Sequence, residues 1–138
     1  MSPFILAIII SFVLSVAIGF AWYSPLLFGK TWMRIHGIKP DTAPTIKGMG
    51  AVMAANALVS LVFVAAFLFT LAILIPVNAF SILVCVLAIY IGFVVPILTQ
   101  NALWSNLPKR SAWKAFGITA GYQLVNALMI GIVFWIVR

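Results

Sequence analysis

Residues 48–108 read GMGAVMAANALVSLVFVAAFLFTLAILIPVNAFSILVCVLAIYIGFVVPILTQNALWSNLP, with no Asp, Glu, Lys, Arg or His. A soluble fold must cover its surface with polar groups, so this stretch indicates a membrane protein. One helix through Met49–Leu103 would be about 80 Å long, far more than a bilayer spans. Pro76, Val77 and Asn78 therefore mark a turn between two spans, since Pro cannot donate a helical hydrogen bond and Asn favours turns.

The whole chain has 138 residues, of which 66% are hydrophobic and 7% charged, so it has no material for a separate soluble domain. A spanning helix needs about 20 apolar residues. We predict one all-α domain over residues 1–138, a polytopic transmembrane four-helix bundle. The predicted spans are about 3–21, 49–75, 79–103 and 113–137, with loops 22–48 and 104–112 on one side of the membrane.

Charge placement predicts the orientation of this bundle. Eight Lys and Arg against one acidic residue give a formal net charge of +7. All but one of these cations lie in or beside the two loops: Lys30, Arg34, Lys39, Lys47, Lys109, Arg110 and Lys114. The positive-inside rule therefore predicts cytoplasmic loops and external termini. It also makes anionic lipid headgroups the expected partners of the cations, with no role for nucleic acid.

The first loop is long enough to hold a short amphipathic helix in the membrane interface. Ser24 and Pro25 resemble an N-cap and a first helical residue, and apolar residues recur after them at helical spacing. Gly37 is expected to end this helix, and Lys39–Thr45, which contains two prolines, is expected to be a loop. The alternative is that the segment is only a tether.

Small residues within the spans predict close helix packing, either inside one chain or between chains. The small-residue positions are Ala7, Ser11, Ser15 and Gly19 in the first span, and Gly117 and Gly121 in the fourth. In the third span Pro96 removes a hydrogen bond to the carbonyl of Gly92, which predicts a kink.

Polar side chains within the spans are the other candidate site. They are Asn56, Gln100, Asn101, Tyr122, Gln123 and Asn126. Two interpretations are open, because such groups either hydrogen-bond between helices or line a hydrated path for a solute. Asn56 and Gln123 lie at comparable depths in their helices, so a hydrogen bond between them across the bundle is one expectation.

The sequence offers little for catalysis. It has no paired carboxylates, one histidine, His36, and one cysteine, Cys85, so it has no set of residues for a metal or a nucleophile. We predict a non-enzymatic protein with no catalytic residues, metal or cofactor. Proton-driven transport is also not expected, because no Asp, Glu or His lies within a span.

A weak internal repeat suggests two duplicated helical hairpins. At a constant offset of 67 residues, Lys47, Gly50 and Asn56 match Lys114, Gly117 and Gln123. Both halves would then have the same orientation, as in a parallel repeat about an axis along the membrane normal.

Two motifs carry a family resemblance. Residues 22–33, WYSPLLFGKTWM, and residues 121–125, GYQLV, resemble domain-of-unknown-function family 1761, small bacterial four-helix membrane proteins. The resemblance implies a four-span inner-membrane protein and no established activity. It carries over only structural or binding positions, namely Trp22, Tyr23, Pro25, Gly29 and Trp32. The expected headgroup contacts beside them are Lys30, Arg34, Lys109, Arg110, Trp113 and Lys114.

Two functions are compatible with this sequence. The leading prediction is an assembly or scaffold component that packs with copies of itself or with a larger membrane complex. The alternative is a passive channel or facilitator for a small solute, which would pass near Asn56, Gln123 and Asn126. Fold class does not decide between them.

Overall fold

The computed structural model describes residues 1–39 and 46–138, with side chains described from residue 50 onward in the second range. Within these ranges the chain is all-helical, as predicted. Its helices are α1 (Pro3–Trp22), α2 (Gly29–Ile35), α3 (Ile46–Leu74), α4 (Ala79–Ile89), α5 (Val95–Leu103) and α6 (Lys109–Val137), with a π-helical turn, Tyr90–Val94, between α4 and α5. The predicted loop around Asp41 lies outside the described residues.

Four segments of the described chain are long and apolar enough to cross a membrane. They are Pro3–Trp22, Gly50–Leu74, Ala79–Leu103 and Lys109–Val137. These segments confirm the four-span prediction, although α6 begins at Lys109, four residues before the predicted start of the span. Pro108 occupies the N-cap position and its carbonyl accepts from the N–H of Ala112 at 2.9 Å. The second basic loop therefore shortens to residues 104–108.

The turn between α3 and α4 lies where the proline and asparagine predicted it. The Asn78 side chain accepts from the N–H of Ser81 at 2.8 Å, and the Ser81 hydroxyl accepts from the N–H of Asn78 at 3.0 Å. This reciprocal pair satisfies two donors at the start of α4. At the same end of the bundle, the Arg138 guanidinium donates to the carbonyls of Pro76 and Val77.

The hydrophobic core lies in the half of the bundle nearest this turn. Its fully buried side chains include Val64, Leu68, Leu71 and Ile130. Close approach of α4 to α6 depends on Gly131, where an added Cβ would lie 2.8 Å from Val86 Cγ2. Helix α6 contacts all the other helices and is the centre of the packing. Most of the remaining apolar surface faces outward, as expected for helices in lipid.

The third span contains a local change of helix type at the predicted irregularity. In the turn Tyr90–Val94 the N–H of Val95 donates to the carbonyl of Tyr90, the wider spacing of a π-helix. Pro96, which has no N–H, follows directly. The Tyr90 hydroxyl donates to the carbonyl of Ala120 at 2.8 Å and fastens this turn to α6.

Candidate functional site at the basic end of the bundle

Helices α1 and α6 run antiparallel, so the two basic loops meet at one end of the bundle. We call this the basic end and define it as residues 22–39 and 104–116. Its exposed cations include Lys30, Arg34, Lys109, Arg110 and Lys114. Asp41, the single acidic residue of the sequence, lies outside the described residues. Positive charge therefore dominates the described part of this end.

The turn after α1 differs from the predicted helix start. The hydroxyl of Ser24 donates to the carbonyl of Ala21 at 2.7 Å, so it closes the end of α1 and does not cap α2. Pro25 lies exposed in the turn, and α2 begins only at Gly29. The prediction that Ser24 and Pro25 begin a helix is therefore wrong. The predicted end is confirmed, because Gly37 has φ of 66° after α2 and permits a left-handed C-terminal turn.

Gly29 allows the chain to fold back tightly on α1. Its N–H donates to the carbonyl of Ser24 at 2.9 Å, and the N–H of Phe28 donates to the carbonyl of Trp22 at 3.0 Å. An added Cβ at Gly29 would lie 2.7 Å from the Ser24 oxygen and closer still to the carbonyl oxygen of Tyr23. Both obstacles are backbone atoms, so only glycine fits this position.

Trp22 joins the end of α1 to α6. Its indole Nε1 donates to the carbonyl of Ile118 at 3.0 Å, and its ring lies 4.8 Å from that of Phe28. On α6 the ring covers Gly121, where an added Cβ would lie 2.9 Å from the indole Cζ2. The two motifs that carry the family resemblance therefore contact each other in space.

Tyr23 continues this aromatic contact toward α2. Its ring packs edge-on against Trp32 at 5.4 Å and against Tyr122 at 5.6 Å. Burial raises the pKa of the Tyr23 phenol above its usual value, and a hydrogen bond with the Thr119 hydroxyl partly offsets this. The phenol is therefore neutral at physiological pH and acts as a packing and hydrogen-bonding group.

The small-residue stripe of α1 faces α6 of the same chain. The Ser15 hydroxyl donates to Asn126 Oδ1 at 2.7 Å, with Ser15 0% and Asn126 3% exposed. The Tyr122 hydroxyl lies 3.4 Å from the Ser15 carbonyl, and an added Cβ at Gly19 would lie 3.3 Å from that hydroxyl. Ala7 and Ser11 are buried on the same face, and the Ser11 hydroxyl has no hydrogen-bond partner.

The other polar candidates do not join this contact. Asn56 is exposed on α3, whereas Gln123 Oε1 is buried without a hydrogen-bond partner. The expected hydrogen bond between them is therefore absent, because helix depth alone does not fix which way each side chain points. Gln100 and Asn101 are exposed on α5, and an added Cβ at Gly117 would meet no atom within 4 Å.

A groove opens between α2, the end of α5 and the start of α6. It encloses about 260 Å³, and its lining includes Trp32, His36, Asn101, Ser105, Phe116 and Thr119. The His36 ring lies 4.0 Å from the Trp32 ring, and His36 Nδ1 is 2.9 Å from the Trp32 carbonyl. Sequence reasoning did not find this groove, because its walls come from three separate segments.

The sequence was compared with known protein families, curated proteins and solved structures. The profile of a family described as "Protein of unknown function (DUF1761)" matches residues 6–135. The chain belongs to the DUF1761 family. The match spans both motifs and the groove, and it confirms the resemblance of residues 22–33 and 121–125. Searches of curated proteins and of solved structures found no match.

The described part of this DUF1761 chain has no cluster of three or more His, Cys, Asp or Glu side chains that would hold a metal ion. Cys85 is half-buried in α4 as a free thiol. What the basic end does offer is a set of cations, aromatic rings and a groove. Basic and aromatic side chains of this kind are common at membrane–water interfaces. With four apolar spans, the chain is a membrane protein of a family of unknown function.

Proposed function

We propose that this DUF1761 chain is a non-enzymatic membrane component that assembles with copies of itself in the bacterial inner membrane. The observation that carries the proposal is an exposed amide on a spanning helix. The stretch from Gly50 to Asn56 near the start of α3 packs little within its own chain, since every residue in it is exposed. A bundle with a helix so little covered has room for another helix beside it.

Asn56 specifies the kind of neighbour. It lies ten residues after Ile46, roughly 15 Å along the axis of α3, and so within an apolar span. An amide in lipid gains from hydrogen bonding to another helix, at roughly 0.6 to 2 kcal/mol per bond. The Asn side chain carries both donors and acceptors, so two copies of Asn56 pair with each other across a twofold axis.

The orientation belongs to the same proposal. The two basic loops lie on the cytoplasmic side, and the turn between α3 and α4 lies outside, in accordance with the positive-inside rule. With this orientation the exposed stretch of α3 lies in the cytoplasmic half of the membrane. The alternative of a solute path has less support, because Val64, Leu68 and Ile130 fill the outer half of the bundle with buried aliphatic side chains.

Disulfide cross-linking in native membranes tests the assembly. In a Cys85→Ala background, Val52→Cys lies one turn from Asn56 on the same face of α3, and Leu58→Cys lies on the opposite face. Both native side chains are similarly exposed, 65% and 63%. We expect oxidation to yield a covalent dimer with Val52→Cys and little with Leu58→Cys.

Adding Asn56→Leu to Val52→Cys removes the amide while keeping the helix apolar. The loss of one interhelical bond should lower the dimer equilibrium constant by a factor of about 3 to 30. Equal cross-linking at both positions, or no effect of Asn56→Leu, would contradict assembly through this face. A Val52→Cys adduct with a different protein would indicate a heteromeric complex and would also contradict self-assembly.

A further inference from the structure

We propose that the groove between α2, α5 and α6 is a binding site for one anionic phospholipid of the cytoplasmic leaflet. Its phosphate lies at the cationic mouth, and the adjoining part of one acyl chain lies between the helices. This proposal concerns a different surface of the molecule from the exposed face of α3 and does not depend on self-assembly, and its leaflet rests on the orientation proposed above.

The depth of the groove fits a lipid at the boundary between headgroup and hydrocarbon. Helix α6 has 29 residues and is about 43 Å long, whereas the hydrocarbon core is about 30 Å thick. The part of α6 that extends beyond the hydrocarbon core is its charged beginning, where Lys109, Arg110 and Lys114 lie. The walls from Ala112 to Thr119 therefore extend from the headgroup layer into the edge of the hydrocarbon.

Charge at the mouth complements a phosphate. Lys109 precedes Ala112 by three residues and Phe116 by seven, so it shares the helical face that lines the groove. The His36 ring lies at the same wall of the groove, held by the 2.9 Å contact of its Nδ1 with the Trp32 carbonyl. The residues that the structure describes contribute no Asp or Glu side chain to this part of the molecule.

The size and lining of the groove favour part of a lipid over a compact polar ligand. Its volume of about 260 Å³ lies below the roughly 300 to 1,000 Å³ of sites that enclose a whole small molecule. Most of the lining is apolar, with Leu98, Ala115 and Phe116 on the walls and Asn101 and Ser105 among the few polar groups. A ligand anchored by its headgroup, with its tail continuing into the bilayer, suits such an open groove.

Native mass spectrometry of the delipidated full chain in mild detergent tests the site. We expect one phosphatidylglycerol per chain, bound about tenfold more tightly than phosphatidylcholine. Lys109→Ala should weaken phosphatidylglycerol binding by about fivefold, and Ala115→Phe, which fills the groove, by at least roughly tenfold. The matched controls are Arg138→Ala, which removes an exposed cation at the opposite end of the bundle, and Ala21→Phe, at an exposed position outside the groove; both should change binding by less than about twofold.

Several outcomes would overturn the proposal. Equal binding of both phospholipids, or unchanged binding by Ala115→Phe, would mean only a non-specific annular lipid. Displacement of phosphatidylglycerol by millimolar inorganic phosphate would mean a site for a free anion. If Ala115→Phe does not fold, Ala102→Phe fills the same groove from α5, and unchanged binding in that variant would equally contradict the site.

Discussion

Substituting Gly29→Ala should unfold the turn that connects α1 to α2. An added Cβ meets the carbonyl oxygens of Tyr23 and Ser24, which are backbone atoms and cannot move without breaking the turn. Overpacking of this kind typically costs about 1 to 3 kcal/mol, and we expect the upper end because no side chain can move aside. Thermal unfolding in detergent should show a midpoint lower by about 10 °C.

Gly117→Ala is the matched control for this substitution. It adds the same methyl group to a helix, but no atom lies within 4 Å of the new Cβ. Alanine is the better helix former by up to about 1 kcal/mol, so the midpoint should stay the same or rise. Equal losses in both variants would contradict a special need for glycine in the turn between α1 and α2.

Asn126→Asp should have the second large effect. Asn126 is buried and accepts a hydrogen bond from Ser15, and no cation lies beside it among the described residues. An aspartate at the centre of a spanning helix costs about 2.5 to 3.5 kcal/mol on insertion-derived scales. We expect a fall in the unfolding midpoint of about 10 °C at neutral pH.

Two further variants separate the charge from the lost amide. Asn106→Asp introduces the same charge on an exposed residue of the second basic loop and should leave the midpoint within a few degrees. Asn126→Leu removes the amide without adding charge and should cost about 1 kcal/mol, since one interhelical hydrogen bond is lost. A midpoint for Asn126→Asp close to that of Asn126→Leu would contradict the buried position of this side chain.

The spans were predictable because crossing a bilayer demands only length and apolar composition. The turn at Pro76–Asn78 was predictable for a similar local reason, since proline and asparagine act on their own backbone. Local signals failed at Ser24, because a Ser-Pro pair fits either a helix start or the turn after a helix. In the structure this pair lies in the turn after α1, and Trp22 beside it donates a hydrogen bond to the carbonyl of Ile118 on α6. These two residues are 96 positions apart in the sequence, so local signals do not reveal the contact.

The candidate site was less predictable than the fold. Depth along a helix can be counted in sequence, but the rotation of each helix is set by its neighbours, so Asn56 and Gln123 were wrongly expected to pair. Gly117 and Gly121 look equivalent in sequence, yet only Gly121 lies under the Trp22 ring. The duplication of the two halves of the chain stays a prediction. The passive channel for a small solute also stays a prediction.

The central claim is that the chain crosses the membrane four times with both basic loops in the cytoplasm. Cysteine labelling with a membrane-impermeant maleimide tests it most directly, in a Cys85→Ala background. Leu26→Cys and Asn106→Cys probe the two basic loops, and Val77→Cys probes the turn between α3 and α4; all three native residues are exposed. We predict that intact spheroplasts label only Val77→Cys, and that the loop cysteines react after permeabilisation. Labelling of Leu26→Cys or Asn106→Cys in intact spheroplasts would contradict the account.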